Sequence, residues 1–300
     1  MSTKAISPST LVLRRFAKHH LAVGSGLTLI ILCALVLSAP LFEIWIGSNV
    51  DTINLLNRFG QPSISHPLGT DELGRDVFIR LLYGGRVSLF VGLVAALSAS
   101  FIGIVIGLTA GYNGGIYDKI LMRLTDGVIS LPLLPLLIVL AAIDPAKLGF
   151  NMGNEGSMGL YRIVFIVAVV GWTTVGRLVR SSTLVLKHRP FVLAAHAQGA
   201  SPIRIMTSHI LPNLASPIIV STTLSAGNVI LLESVLSFLG LGIQPPMPSW
   251  GNLLTNAQEL IWNAPSLAFY PGLLIFITVI ALNFIGDGLQ DALDPKAARY

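Results

Sequence analysis

Few side chains in this sequence lie where they could do chemistry. Of the 14 Asp and Glu residues, Asp126 lies at the beginning of one apolar run and Glu233 alone lies further within one. An ionisable group is expensive in lipid, and such groups often line the path of an ion or a substrate. A proton or ion relay needs several of them in pairs, which the sequence lacks. We therefore expect Glu233 to orient a short helix near the end of its run, and the lining of a substrate path is the alternative.

Sequence motifs of enzymes and metal sites are absent. The sequence contains no HExxH, no CxxC and no GxSxG with a plausible set of partners. The dipeptide Gly-Lys of a phosphate-binding loop never occurs, so the chain has no motif of its own for ATP hydrolysis. We expect no catalytic residue, no metal ligand and no cofactor bound by this chain.

The composition is that of a membrane protein. Hydrophobic residues make up 53% of the chain and charged residues only 11%, against about 25% charged residues in a soluble domain. The apolar runs are continuous rather than alternating, and a helix satisfies its own backbone hydrogen bonds in lipid. The sequence therefore predicts an all-α, polytopic membrane protein.

Six apolar runs approach the length of about 20 residues that a helix needs to cross a bilayer. They lie near residues 21–42, 87–110, 124–143, 163–179, 214–236 and 267–285. An even number of spans puts both termini on the same side of the membrane. Of the 19 Lys and Arg residues, 13 lie in the termini and the connecting segments on that side. Because Lys and Arg are enriched on cytoplasmic segments, both termini are predicted to be cytoplasmic. The net charge of +5 is explained by this topology and indicates no nucleic-acid partner.

A short polar segment between two apolar runs, residues 187–213, is predicted to be cytoplasmic, and we call it the elbow. Its pattern reads as helix, turn, helix and stop. Alanines favour the first helix, and Gly199 permits a left-handed turn. Ser201 and Pro202 suit the N-cap and first position of a second helix, and Pro212 is predicted to end it.

The elbow is predicted to be a surface on which a separate motor protein pushes. An apolar face formed by Val192, Ala195, Ile203 and Met206 is expected to be buried in that partner. The residues assigned to this coupling role are Val192, Ala194, Ala195, Gly199, Ala200, Ile203, Met206 and Pro212.

A charged segment precedes the second apolar run on the predicted outer side. Thr70 or Asp71 is expected to cap a helix, and two pairs at i,i+4 spacing, Asp71 with Arg75 and Asp76 with Arg80, are expected to form ion pairs. These four charged residues are interpreted either as a scaffold or as a contact surface for an extracytoplasmic binding protein.

Two further patterns predict local contacts. Arg123 and Asp126 lie three residues apart and are expected to pair on one helix face. The segment 243–250, IQPPMPSW, is expected to be extended and stiff because its prolines exclude helix. Trp250 and Trp262 are expected to anchor at the outer membrane interface.

Four blocks of sequence resemble one family. They are residues 68–89 (LGTDELGRDVFIRLLYGGRVSL), 110–132 (AGYNGGIYDKILMRLTDGVISLP), 172–213, which contain the elbow, and the C-terminal stretch from residue 236, with LSFLGLGIQPPMPSWGNLL and NFIGDGLQDALDP. The chain is similar to the inner-membrane permease subunits of peptide-type ATP-binding-cassette importers, the dipeptide, oligopeptide and nickel family, in their second, DppC/OppC-like form. One departure is Leu193, which stands where the coupling motif of the family has Glu.

The resemblance implies a type I importer permease fold in a bacterial inner membrane. It implies a core domain of residues 67–296, preceded by an N-terminal segment with the first span (residues 1–66) and followed by a short tail (residues 297–300). Its implied partners are a second homologous permease, two ATPase subunits that bind ATP and Mg, a solute-binding protein and membrane lipid. Di- or oligopeptides are the expected solutes, with nickel complexes or opine-like compounds as rivals. An ion-coupled secondary transporter is the alternative from another class.

Overall fold

The computed structural model describes residues 8–143 and 155–293, and within these ranges the chain is helical, with a single isolated bridge between Thr70 and Asp76 and no strand. The helices are α1 (Pro8–Lys18), α2 (His20–Leu37), α3 (Ala39–Ile46), α4 (Val77–Asn113), α5 (Gly115–Ser130), α6 (Leu133–Ala142), α7 (Glu155–Leu186), α8 (Pro190–Ala197), α9 (Pro202–Arg204), α10 (Ala215–Phe238), α11 (Ala257–Leu260) and α12 (Ser266–Leu293). The all-α prediction agrees with this architecture.

Five helices in the described ranges are long and apolar enough to cross a membrane, and the bent pair of α5 and α6 is either a sixth, broken span or a re-entrant loop. The predicted span 124–143 is not one straight helix, because α5 and α6 meet at an angle of 89°. Pro132 follows the end of α5 and has no N–H to continue its hydrogen-bond ladder. The first predicted run also divides, with α2 ending at Leu37 and α3 starting at Ala39.

Helices α4 and α7 share the most extensive helix–helix contact in the described structure. Three glycines of α4, Gly103, Gly107 and Gly111, face α7 along one stripe. A Cβ atom at Gly103 would lie 2.7 Å from the carbonyl oxygen of Trp172, and one at Gly107 would lie 2.6 Å from that of Gly176. Small residues at this spacing allow two helix backbones to approach closely in lipid. Residues larger than glycine would push the two helices apart.

The bundle has two ends that differ in structure. The loop end consists of residues 47–76 and 239–265, and the elbow lies at the opposite end, the elbow end. Helix α10 runs from the elbow end to the loop end and packs on α4 and α12. Helices α1 and α2 meet the end of α12, where His19 Nε2 lies 3.7 Å from Asp291 Oδ2. Both ends of the described chain therefore lie at the elbow end.

The predicted division at residue 66 stays a prediction. Helix α2 packs along α12 and touches α4, so the N-terminal segment is tied to the core. The predicted tail, residues 297–300, lies outside the described residues.

Candidate functional site

The elbow begins with a short helix that ends in a tight left-handed turn. Helix α8 closes with two backbone hydrogen bonds, from Gly199 N to His196 O at 3.0 Å and from Ala200 N to Ala195 O at 3.1 Å. Gly199 has a φ of 79°, which a residue with a Cβ atom rarely adopts. This is the Schellman arrangement. The Ser201 hydroxyl then accepts a hydrogen bond from Arg204 N at 3.4 Å and starts the second helix.

The second helix of the elbow does not stop at Pro212, as the sequence pattern predicted. A π-helical turn (Ile205–Ile210) and a 3-10 turn (Leu211–Leu214) connect α9 to α10. Together they make a continuous helical segment, Pro202–Phe238, of 37 residues. The change from a wide to a tight turn accommodates the missing N–H of Pro212 without ending the helix. The elbow is therefore joined directly to a membrane span.

One face of the elbow packs inside the chain. Val192 and Ala195 are 3% and 7% exposed, and they lie in a cluster with Leu108 of α4 and Val175 and Val179 of α7. The expectation that Val192 and Ala195 are buried in a partner is therefore wrong for this structure. Helix α8 has apolar residues on two faces, and its sequence does not show which face packs inside the chain.

The opposite face of the elbow is exposed and apolar. Phe191, Leu193 and Ile203 are 42%, 54% and 70% exposed. Of the other residues predicted to couple, Ala194, Gly199 and Pro212 are exposed, and Ala200 and Met206 are half-buried. The elbow contains Lys187, Arg189 and Arg204 but no Asp or Glu. A partner for this surface needs an apolar groove with an acidic rim.

Ion pairs join α5 to α7 at the elbow end. Arg180 donates two hydrogen bonds to Asp118, from Nε to Oδ1 at 2.5 Å and from Nη2 to Oδ2 at 2.6 Å. Arg177 Nη2 binds Asp126 Oδ1 at 2.6 Å. The expected pair of Arg123 with Asp126 is therefore wrong, because the arginine of the neighbouring helix reaches this carboxylate.

Glu233 is the centre of a buried polar cluster between α4, α10 and the loop end. Ser88 Oγ donates to its Oε2 at 3.1 Å, and Ser237 Oγ donates to its Oε1 at 2.7 Å. Each serine also accepts a backbone hydrogen bond, from Trp250 N at 3.1 Å and from Ile243 N at 3.0 Å. One carboxylate thereby fixes both ends of the segment 243–250 to the bundle.

Glu233 is fully buried, and this burial bears on its two predicted roles. Both of its carboxylate oxygens accept bonds from serines. Glu233 lies inside the bundle and not at an interface, and its expected role in orienting a short helix stays a prediction. Its place on a substrate path stays a prediction.

The two tryptophans of the loop end have opposite environments. Trp250 is fully buried, and its Nε1 donates to Leu81 O at 2.9 Å. Gly85 leaves room for its ring, since a Cβ atom there would lie 2.7 Å from the ring edge. Trp250 is therefore not an interfacial anchor as expected, whereas Trp262 is 90% exposed. A tryptophan with a buried N–H partner serves packing rather than the membrane interface.

The predicted ion pair between Asp71 and Arg75 is present. Asp71 Oδ2 lies 2.7 Å from Arg75 Nε, and Oδ1 accepts the backbone N–H groups of Leu73 and Arg75 at 2.8 and 2.9 Å. Asp71 is 8% exposed. The pair lies inside the loop end and stiffens the turn before α4.

The second predicted pair, Asp76 with Arg80, is absent. Asp76 caps α4 by accepting from Ile79 N at 2.9 Å, so the cap is neither Thr70 nor Asp71 as expected. Its other oxygen lies 2.8 Å from His66 Nδ1. Because both carboxylate oxygens are already occupied, Arg80 turns towards Asp71 and Asp51 at 3.7 and 3.8 Å.

The described residues contain no cluster of three or more His, Cys, Asp and Glu side chains placed to hold a metal ion. The arrangement at both ends consists of packing surfaces, ion pairs and helix connections.

Comparison with known proteins identifies the family. Residues 103–299 match the family "Binding-protein-dependent transport system inner membrane component", and residues 7–55 match the N-terminal membrane domain of oligopeptide transport permease C. The chain is 40% identical to the dipeptide transport system permease protein DppC of Alkalihalophilus pseudofirmus, over 97% of this chain and 91% of the relative. It is 41% identical to the glutathione transport system permease protein GsiD of Pectobacterium atrosepticum, over 94% and 89%.

Two further comparisons agree with this assignment. The oligopeptide transport system permease protein OppC of Bacillus subtilis is 35% identical over 99% of this chain and 92% of its own. Among solved structures, a chain of the MetNI methionine ABC transporter in an inward-facing form aligns with a TM-score of 0.56 and 19% identity, over 72% of this chain and 96% of that one, which shows a shared fold. This protein therefore belongs to the binding-protein-dependent inner-membrane components, as a multi-pass permease of an ATP-binding-cassette importer.

Proposed function

We propose that this chain forms one half of the path by which an ATP-driven importer carries di- or oligopeptides across the inner membrane. A second homologous permease completes the path, and an extracytoplasmic solute-binding protein delivers the solute. Two separate ATPase subunits bind ATP and Mg and move the elbow. The chain itself has no catalytic role.

The exposed face of the elbow is the observation that carries this proposal. Phe191, Leu193 and Ile203 present apolar surface next to basic residues, on a segment whose other face is packed on α4 and α7. Fully burying an apolar side chain of this size stabilises an interface by about 1.5–3 kcal/mol. Because the second elbow helix continues into α10, a push on this face moves a membrane span directly. The elbow end is then cytoplasmic, as the Lys and Arg distribution predicts.

The charged residues of the loop end are proposed to be scaffold. Asp71, Asp76 and Arg80 are at most 8% exposed, so they have little surface to offer a docking protein. Arg75 is occupied by its bond to Asp71. They hold the extracytoplasmic loops in a fixed shape on which the binding protein rests.

The proposed solutes follow the names of the relatives, which transport dipeptides, oligopeptides and glutathione. Nickel complexes and opine-like compounds are the competing solutes. Purification of the cognate binding protein with its natural ligand and mass spectrometry of that ligand tests the choice. A peptide in the binding protein supports the proposal, and a nickel complex or an opine-like compound refutes the solute class.

The assembly and its orientation are tested separately. An affinity tag on this chain is expected to recover a second permease and ATPase subunits from detergent-solubilised membranes. A reporter fused after Lys187 is expected to score as cytoplasmic. Recovery of the chain alone, or an extracytoplasmic score, contradicts the proposed coupling through the elbow.

A further inference from the structure

A cavity of about 240 Å³ opens at the loop end, where α4, α10 and α12 meet the connecting loops. Four charged side chains line it, Asp71, Glu72, Arg75 and Arg80. Its remaining wall comes from polar residues such as Gln244 and Asn256 and from apolar residues, among them Leu81, Leu253 and Leu267. Asn256 and Thr255 are exposed, so the cavity reaches the surface there. It lies within this one chain.

Arg80 is the unusual group in this cavity. Its side chain is 3% exposed, and its carboxylate neighbours lie at 3.7 and 3.8 Å. Its hydrogen bond to Val50 O is long, at 3.4 Å, and its Nε is buried with no hydrogen-bond partner in the part of the chain that the structure describes. A guanidinium group has five N–H donors, and a buried charge without hydrogen bonds is strongly unfavourable. The hydrogen-bonding capacity of Arg80 is therefore largely unused within the described structure.

Glu72 is the complementary group. It is half-buried on the cavity wall, and in the described structure it forms no hydrogen bond and no ion pair, although its charge acts on Arg80. Asp71 and Arg75 neutralise each other at 2.7 Å. The cavity therefore offers one cation, Arg80, whose carboxylate neighbours lie at 3.7 and 3.8 Å, and one anion, Glu72, without a bond inside the described structure. The net charge of its lining is zero.

We propose that this cavity binds a small zwitterion, of amino-acid to dipeptide size, with its carboxylate on Arg80 and its ammonium group on Glu72. A simple anion would be attracted by Arg80 but repelled by Glu72. A simple cation would be attracted by Glu72 but repelled by Arg80, so only a ligand with both charges pairs with both groups. Drug-sized ligands occupy pockets of about 300–1,000 Å³, which restricts this cavity to a smaller molecule. The inference rests on the proposed function only for the expectation that the zwitterion is of the transported class.

Binding is measured by isothermal titration calorimetry on the full chain in lipid nanodiscs, with three probes. L-alanyl-L-alanine carries both charges, its N-acetyl derivative keeps the carboxylate, and its amide keeps the ammonium group. We expect the dipeptide to bind at least about tenfold more tightly than either derivative, because each derivative loses a charge-assisted bond. No heat of binding for the dipeptide, or equal affinity for all three probes, overturns the proposal.

Two variants assign the charges. In Glu72→Gln, the dipeptide and its N-acetyl derivative are expected to bind with equal affinity, because the partner of the ammonium group is lost. Glu259→Gln is the matched control, since Glu259 is an exposed acid of the loop end that does not line this cavity, and it should keep the wild-type preference. An unchanged preference in Glu72→Gln overturns the assignment.

Arg80→Lys and Arg80→Met test the other charge. The Arg80→Lys variant is expected to keep part of the preference for a free carboxylate, and the Arg80→Met variant is expected to lose it. The thermal unfolding temperatures of both variants are measured in parallel. If Arg80→Met does not fold, Glu72→Gln alone decides, because the Glu72 side chain forms no internal bond in the described structure. Zwitterion binding without ATP-driven peptide uptake by the assembled complex would refute the proposed function and leave this site standing.

Discussion

Gly74 at the loop end and Gly199 at the elbow share a left-handed backbone, with φ of 72° and 79°, but their surroundings are opposite. A Cβ atom at Gly74 would lie 1.8 Å from the carbonyl oxygen of Asn54, whereas one at Gly199 would meet nothing within 4 Å. The same contrast holds for the side chains around them. The loop end is closed by internal contacts, and the elbow keeps an open apolar face.

This difference indicates how the two ends work. At the loop end, a buried carboxylate, two serines and a buried tryptophan fix the segment 243–250, and Asp71 and Asp76 fix the turn before α4. At the elbow, internal packing holds only one face. A rigid loop end and an elbow open to a partner suit a gate that is moved from one side.

The comparison of the two glycines gives the largest expected effect on folding. Gly199→Ala adds only the backbone strain of a left-handed alanine, about 1–2 kcal/mol. Gly74→Ala adds the same strain and an overlap with backbone, so we expect a loss above about 4 kcal/mol. Thermal unfolding in detergent and the yield of membrane-inserted protein measure both. Equal effects of the two substitutions would show that the loop end is not closely packed as described.

The exposed face of the elbow is expected to govern transport without governing folding. Ile203→Asp puts a charge on the exposed face, and Gly199→Pro changes the turn, so either variant should reduce uptake more than about tenfold, which corresponds to a loss of about 1.4 kcal/mol of coupling. Ala195→Asp should also abolish uptake, but by disrupting the packed face. Ile203→Val is the control with near wild-type uptake. Uptake assays in a strain that lacks the natural copy measure this, and wild-type uptake by Ile203→Asp contradicts the coupling role.

At the loop end, substitutions of Glu233 are expected to affect stability more than uptake. Glu233→Ala removes the acceptor of both serine hydroxyls, at about 1–3 kcal/mol for each. Glu233→Gln keeps one acceptor oxygen and should cost about half as much. We expect uptake by Glu233→Gln to change far less than uptake by the elbow variants. A stable Glu233→Gln protein that has lost uptake would instead favour the pathway role for this carboxylate.

The smallest effects are expected from the ion pairs between α5 and α7. Asp126→Asn breaks a pair whose side chains are 49% and 64% exposed, and exposed pairs contribute about 0–1 kcal/mol. Asp118→Asn breaks a bidentate and better buried pair, so it should destabilise the protein more. Unfolding temperatures compare the two variants, and a larger loss in Asp126→Asn contradicts this order.

Local patterns in the sequence predicted much of this architecture. Composition and apolar runs indicated the all-α class, and the spacing of Asp71 and Arg75 predicted their pair. Gly199 and Ser201 predicted the turn and cap of the elbow, because these features depend on neighbours within about four residues.

Features that depend on distant residues were not predictable in this way. Trp250 is buried because Leu81 and Ser88, more than 160 residues away, supply its partners. Asp126 binds Arg177 of another helix in place of Arg123. Likewise, Val192 and Ala195 turn inward because α4 and α7 supply apolar neighbours there. A sequence shows that a helix has an apolar face, but not which molecule covers it.

Uptake into proteoliposomes tests the central claim that this chain is a gate moved by force from other subunits. The purified chain, the chain with its second permease, and the full complex with ATPase subunits are compared with labelled dipeptide, binding protein and internal ATP. We expect accumulation against a gradient only in the full complex, and its loss in the complex that carries Ile203→Asp. Accumulation by the chain without ATPase subunits would contradict the account.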